Sequence, residues 1–188
     1  MPHSDFEYLL AEHCAPTLLS HKCASLVTLS RRSFPNTSFI APYSRLLSEF
    51  GISCRIICRC RKRRLLLLYR QDMLSARLRE PDAAQLLLRC GYPAHASLEE
   101  LLQMLEERFS SACGTFPHEI GLFLGYPASD VAGFIQNKGE GCLFCGYWKV
   151  YSKPEEARLC FALYDRCRAH LFRCLREGKT ISTLLSAA

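Results

Sequence analysis

His118 and Glu119 stand side by side at the mouth of the apolar run "FPHEIGLFLGYPASDVAGFI", residues 116–135. An imidazole that titrates near neutrality beside a carboxylate is a pairing that general acid–base chemistry uses. The same run carries Gly121 and Gly125, and glycine interrupts a strand where another backbone or a ligand comes close. Further on, "GYWKVY" (146–151) sets Lys149 between Tyr147 and Tyr151 at alternate positions.

Read as strands, 118–124 and 145–151 each present two faces. Ile120, Leu122 and Leu124 match Trp148 and Val150 as apolar faces. Glu119, Gly121, Phe123 and Gly125 share the other face of the first strand, and Tyr147, Lys149 and Tyr151 that of the second. A crossover through a helix at 127–138 makes the two strands parallel neighbours, so that an acid, a lysine and two phenols meet beside bare backbone. That is a small-molecule groove. In it Glu119 is the general base or polar anchor, with His118 beside it and Lys149 as electrostatic clamp. Gly121, Gly125, Tyr147 and Tyr151 are ligand contacts. The competing reading is a half-exposed face with a Glu/Lys pair, its glycines admitting a close-packed helix. Phosphate binding at the helix start is opposed by Pro127, which has no N–H to offer, and by Asp130.

Two other constellations compete with this one. Cys142 and Cys145, "CLFC", have the spacing of a metal knuckle or a redox motif. No second pair at that spacing exists, and the motif precedes a strand rather than a helix start, so no metal is favoured; any ion held there would be shared with Cys113 or Cys14. His13 and Cys14 are adjacent on a helix and point about 100° apart, so a base for Cys14 must come from elsewhere, with His118 a candidate. Cys160, Cys167 and Cys174 recur every seven residues, which reads as a buried stripe of small thiols. The second constellation is "RIICRCRKRR" (55–64), with six Arg or Lys and no acid. It reads as a solvated hairpin tip or as a track along a nucleic-acid backbone; Tyr69 is the one aromatic near it.

The elements that must position these residues follow from pattern and punctuation. Ser4 with Glu7 is a capping box opening a helix over 5–13, stopped before Pro16. "ASLVTL" (24–29) is a short buried strand, and a helix starts near Pro42 and ends at Gly51. "SCRIICRC" alternates as a strand with one dry face, and "RLLLLYR" is its hairpin partner, covered on both sides. Helices are expected over 71–79, 81–89 and 98–110, the last with the capping box Ser97/Glu100. After the helix at 127–138 comes a long one from the capping box Ser152/Glu155 to Gly178. Strands alternating with helices argue for the α/β class, with α+β as the alternative. The expected architecture is one domain over 1–188, a mixed sheet of about five strands packed by helices. The two Gly-Tyr-Pro triplets, at 91 and 125, read as different contexts.

At 188 residues, with 49% hydrophobic and 22% charged residues, the chain has the composition of a globular domain with a real core. Its longest aliphatic run is Leu65 to Leu68, far short of the roughly 18 apolar residues of a membrane span. The N-terminus lacks the basic-then-apolar order of a secretory signal. Twelve cysteines in such a chain are expected as reduced thiols, and the location as cytoplasmic. No nucleotide fingerprint, Walker loop or Ser-His-Asp order is present. Cofactor and catalytic activity are therefore left open.

"FPHEIGLFLGYPASDVAGFIQNKGEG" followed by "CGYWKVY", and then a helix with "YDRCR", resembles the family catalogued as domain of unknown function 3793, found in anaerobic bacteria. "HCAPTL" at 13–18, "K-x-ASL" at 22–26 and "LLLLYR" at 65–70 extend the resemblance over nearly the whole chain. The family implies no activity. It does imply a cytoplasmic protein from a reducing milieu, and it adds Lys22 to the ligand-binding candidates. The chain departs from the expected pattern in "LLSHK", where a glycine is expected before Lys22.

Overall fold

The structure, a computed structural model, describes residues 2–59, 63–111 and 116–186. Backbone contacts divide the chain into two compact units, Met1–Gln71 with Leu163–Ala188, and Asp72–Ala162.

The first unit is built on a three-stranded antiparallel sheet of order β1-β3-β2, formed by β1 (Ala24–Ser30), β2 (Ile52–Arg59) and β3 (Arg63–Arg70). The middle strand is the one whose sequence is aliphatic throughout: Leu65 to Leu68 are all buried, because both of its faces are covered. The expected hairpin is therefore present. Its alternation, however, breaks at a bulge between Ile56 and Cys58. The extra residue, Ile57, is buried instead of sharing the outer face with Arg55.

Helix α1 (Pro2–Leu18) runs through Pro16 rather than stopping before it. Pro16 removes the N–H that would bond the Glu12 carbonyl, but Glu12 lies on the exposed side, where water can take that acceptor. The Pro16 carbonyl closes the helix by accepting from the His21 and Lys22 amides. Ser20 follows with φ 61°, the left-handed conformation that explains why a glycine is expected there. Helix α1 begins at Pro2, ahead of Ser4, so Ser4 is not its N-cap; the Glu7 carboxylate accepts from the Tyr43 hydroxyl at 3.1 Å and the Ile181 amide at 3.3 Å. Helix α2 (Ile40–Ser48) completes the first half of the unit. Phe6, Leu10, Cys14, Val27, Leu66 and Leu171 are among the residues of one apolar core.

Residues 60–62 of the basic stretch lie outside the described residues. Arg64, at its end, is not part of a solvated tip: it is 9% exposed and donates to the carbonyls of Phe34 (2.9 Å) and Pro35 (3.1 Å).

The second unit is mostly helical. Helices α3 (Gln71–Arg79), α4 (Pro81–Arg89) and α5 (Leu98–Ser111) fall where the apolar periodicity put them. The capping box is formed, with Glu100 accepting from the Ser97 amide at 2.7 Å. Then the expectations fail. Residues 118–124 are not a strand; they are a turn leading into the single-turn helix α6 (Ile120–Phe123). Residues 145–151 are not one strand but a tight hairpin, β4 (Phe144–Cys145) antiparallel to β5 (Lys149–Val150). Between 118–124 and 145–151 lies α7 (Ala128–Gln136), as expected, but it joins no parallel strands. The sheets have three and two strands instead of five in one. Helix α8 (Pro154–Arg176) crosses from the second unit into the first, and α9 (Ile181–Leu185) ends the described chain.

Both Gly-Tyr-Pro triplets are the same device. Gly91 (φ 83°) and Gly125 (φ 74°) sit just past helix ends in the left-handed conformation. The following tyrosine amides reach back to the Leu87 carbonyl (3.0 Å) and the Gly121 carbonyl (2.9 Å), while the glycine amides bond Leu88 and Leu122. This is the Schellman arrangement, which satisfies the last helical carbonyls, and proline after it prevents the helix from continuing.

Candidate functional site

Asp130, in the first turn of α7, organises the middle of the second unit. It is 2% exposed, and both its oxygens are occupied. Oδ1 accepts from the Tyr151 amide (2.9 Å), the Ser152 amide (2.8 Å) and the Ser152 hydroxyl (3.0 Å), and Oδ2 accepts from the Trp148 indole N–H at 2.8 Å. The carboxylate thus ties α7 to the hairpin and to the segment entering α8. Helix α8 begins at Pro154, so Ser152 is not its N-cap and the expected Ser152/Glu155 capping box does not form; the Ser152 hydroxyl donates to Asp130 instead. The Trp148 ring is in turn fixed by stacking on Tyr126, centroids 4.9 Å apart, and by an edge contact with Phe161 at 4.5 Å. Burial pushes the Tyr126 phenol up to about 12.

Beside this floor the second unit has a cleft of about 490 Å³, within the range of ligand pockets. Three separate stretches line it: Arg77, Glu80 and Asp82 from α3 and α4; Gly125 with Pro127 to Asp130; and Trp148 with the start of α8, including Lys153 and Glu156. Arg77 is anchored by donating Nη2 to the Tyr126 carbonyl at 3.0 Å and Nη1 to Glu80. Lys153 pairs with Glu156 at 3.1 Å on the exposed surface.

Of the candidate catalytic, ligand-binding and metal residues read from the sequence, Gly125 alone is among those lining this cleft. The groove itself required two parallel strands, and without them its members separate. Glu119 is 6% exposed and accepts, on Oε1, from Arg108 Nη1 at 3.0 Å and the Tyr92 hydroxyl at 3.3 Å. Arg108 lies 4.4 Å over the Tyr92 ring and also donates to the Cys90 carbonyl at the end of α4. Glu119 therefore holds a helix end together, and burial, then its charge, raise both the Tyr92 phenol and the Cys90 thiol.

His118 and Lys149 do share a neighbour. The His118 ring is 4.9 Å from that of Phe134, and Lys149 Nζ is 5.9 Å from the same ring while donating to the Gly139 carbonyl at 2.7 Å. Gly121 is buried, and a Cβ there would stand 2.7 Å from Val131 and 3.2 Å from Tyr126, so helix α7 and the capping tyrosine need its bare backbone. Tyr147 packs 5.4 Å from Phe161. The Tyr151 ring lies on Gly133, and its hydroxyl is buried with no hydrogen-bond partner among the described residues. Lys22 belongs to the first unit, where it is 8% exposed with Nζ 5.6 Å from the Tyr164 ring. Cys142 is half-buried and Cys145 exposed. Among the described residues no three metal-ligating side chains gather.

Sequence reasoning missed Asp130 as a hub and Arg77 altogether. The sequence already put Asp130 in the first turn of the helix after Pro127, but no local spacing pairs it with Trp148, Tyr151 and Ser152.

The chain belongs to the family described as protein of unknown function (DUF3793), whose model matches residues 10–185. No curated protein and no solved structure matches it. Among the described residues no helix is long and apolar enough to cross a membrane.

Proposed function

We propose that this protein binds a small molecule in the cleft between α3/α4, the start of α7 and the start of α8. The observation that carries the reading is the cleft's construction: three stretches distant in sequence, two of them bearing charged side chains, surround about 490 Å³ over a floor fixed by Asp130 and Trp148. Preorganised polar groups on a rigid floor are what a ligand site requires. A cytoplasmic setting belongs to the same proposal, supported by Cys14, Cys167 and Cys174 standing as buried thiols.

The test is native mass spectrometry of gently purified protein, compared with Ser129→Trp. Ser129 is exposed on the cleft wall, so a tryptophan there fills the space without entering the core. The expected result is a bound small molecule in the parent protein that is absent from the variant, with melting temperatures alike. A ligand retained equally by both would place binding elsewhere and end the proposal.

A further inference from the structure

Resting on that reading, we infer that the ligand is a small organic cation of the primary-amine type, its ammonium donating to the Ser129 hydroxyl oxygen. The direction of one hydrogen-bond relay leads there. Asp130, which accepts from two amides and an indole, also takes the hydrogen of the Ser152 hydroxyl at 3.0 Å. The Ser152 and Ser129 hydroxyl oxygens stand 2.8 Å apart, and a serine hydroxyl owns a single hydrogen. With the Ser152 hydrogen committed to the carboxylate, the bond between the two serines uses the hydrogen of Ser129. The exposed Ser129 hydroxyl therefore offers the cleft lone pairs alone: it accepts and does not donate.

The nearby side-chain donors are engaged with the protein. The Trp148 indole serves Asp130. Arg77 gives Nη1 to Glu80 and Nη2 to the Tyr126 carbonyl, and its Nε is buried. Lys153 stands 3.1 and 3.3 Å from the two oxygens of Glu156. The positive end of the α7 dipole is met by Asp130 in the first turn. Charge points the same way. Four carboxylates line the cleft, Glu80, Asp82, Asp130 and Glu156, against the two cations Arg77 and Lys153. Each cation is matched by one acid, and Asp82 is exposed with no ion pair among the described residues. An anion would meet that acidic excess, and a neutral acceptor would meet lone pairs at Ser129. A charged N–H donor complements both. Trp148, Pro127 and Ala157 supply apolar wall for the carbon chain of an amine.

The experiment is a calorimetric titration of the full chain with butylamine, hexylamine and 2-phenylethylamine. For the one that binds most tightly, three analogues follow: the trimethylammonium compound, which keeps the charge but has no N–H; the alcohol, which keeps a donor but has no charge; and the carboxylate, which reverses the charge. Each should bind at least about tenfold more weakly, a loss of roughly 1.4 kcal/mol. Ser129→Ala removes the acceptor and leaves the bond from Ser152 to Asp130 in place; it should weaken the amine to the level of the trimethylammonium compound without changing the latter. Asp82→Asn, which removes charge rather than the acceptor, should weaken both by a common factor. Melting temperatures of the two variants, measured without ligand, confirm that each is folded. Equal affinity for any analogue, or an amine indifferent to Ser129→Ala, overturns the inference. In the native mass spectrum, a bound amine lost in Ser129→Trp supports it even where these three probes do not bind. A bound molecule lost in Ser129→Trp that carries no protonated amine overturns it, and the cleft then stands as a site for another ligand class. A bound molecule indifferent to Ser129→Trp overturns both statements, as does absence of amine binding together with absence of any bound molecule.

Discussion

The polar side chain that gathers the most bonds carries opposite charge in the two units, Arg70 in the first and Asp130 in the second. In the first, guanidiniums serve carbonyls: Arg70 donates to Thr17 (2.8 Å), Leu18 (2.7 Å) and Phe50 (3.0 Å), and Arg64 to Phe34 and Pro35. Thr17 and Leu18 are the last residues of α1, whose terminal carbonyls have no intrahelical partner. In the second, a carboxylate serves N–H groups: Asp130 collects two amides, an indole and a hydroxyl. The difference follows from what each chain segment leaves exposed. Helix C-termini and loops folded onto a sheet present acceptors, whereas a hairpin running into a helix start presents donors.

The largest effect expected from breaking this arrangement is at Asp130. Asp130→Ala leaves four donors without their acceptor and should cost on the order of 3 kcal/mol or more, read from denaturant midpoints. Trp148, the chain's single tryptophan, reports the change directly by its fluorescence. Arg70→Met keeps much of the aliphatic stem but strands three carbonyls, which tolerate incomplete bonding better than N–H groups do; about 2 kcal/mol is expected. A loss in Arg70→Met equal to that in Asp130→Ala would remove the asymmetry between the units.

Gly121→Ala comes next. Its methyl would stand 2.7 Å from Val131, and overpacking of this kind costs about 1–3 kcal/mol. Unchanged stability would mean that α7 leaves that face open, as the groove first read from the sequence requires.

The smallest effect is local to α5. Hydrogen bonds from the Ser97 hydroxyl and amide hold the Glu100 carboxyl below its ordinary 4.5. A carboxyl lowered in the folded state contributes stability that is full above pH 4.5 and is lost as pH falls through the lowered value. Parent and Glu100→Gln proteins should therefore differ most near neutrality and converge in acid; a difference that persists unchanged at low pH would remove the charge from the explanation.

The first unit was legible because its signals were long. A hairpin of two eight-residue strands, one alternating and one wholly aliphatic, leaves little choice of period. The segment 118–124 was not, because all four residues of α6 are buried. A run that is apolar on every side fits a strand and a helix equally, and here the arbitration lay outside it, in the glycine that follows. The site was harder still. Glu119, Gly121 and Lys149 attract attention by type, yet Glu119 is occupied by Arg108 and Tyr92 and Gly121 by Val131. The residues that shape the cleft, Arg77, Asp130 and Trp148, are joined by bonds across 18 to 49 positions of sequence, and no local spacing announces such bonds.

The bulge at Ile57 bears on how copies of this chain meet one another. A three-stranded sheet has two open margins, and β2 forms one of them. A flat margin is a template on which a second molecule can add a strand, the first step toward ordered aggregates. On β2 the register shifts by one residue between Ile56 and Cys58, and Arg59, just beyond, is exposed. An approaching strand would have to match an interrupted ladder and bring its own backbone against a fixed positive charge. The irregularity that spoils the alternation of "SCRIICRC" is thus a guard against self-association.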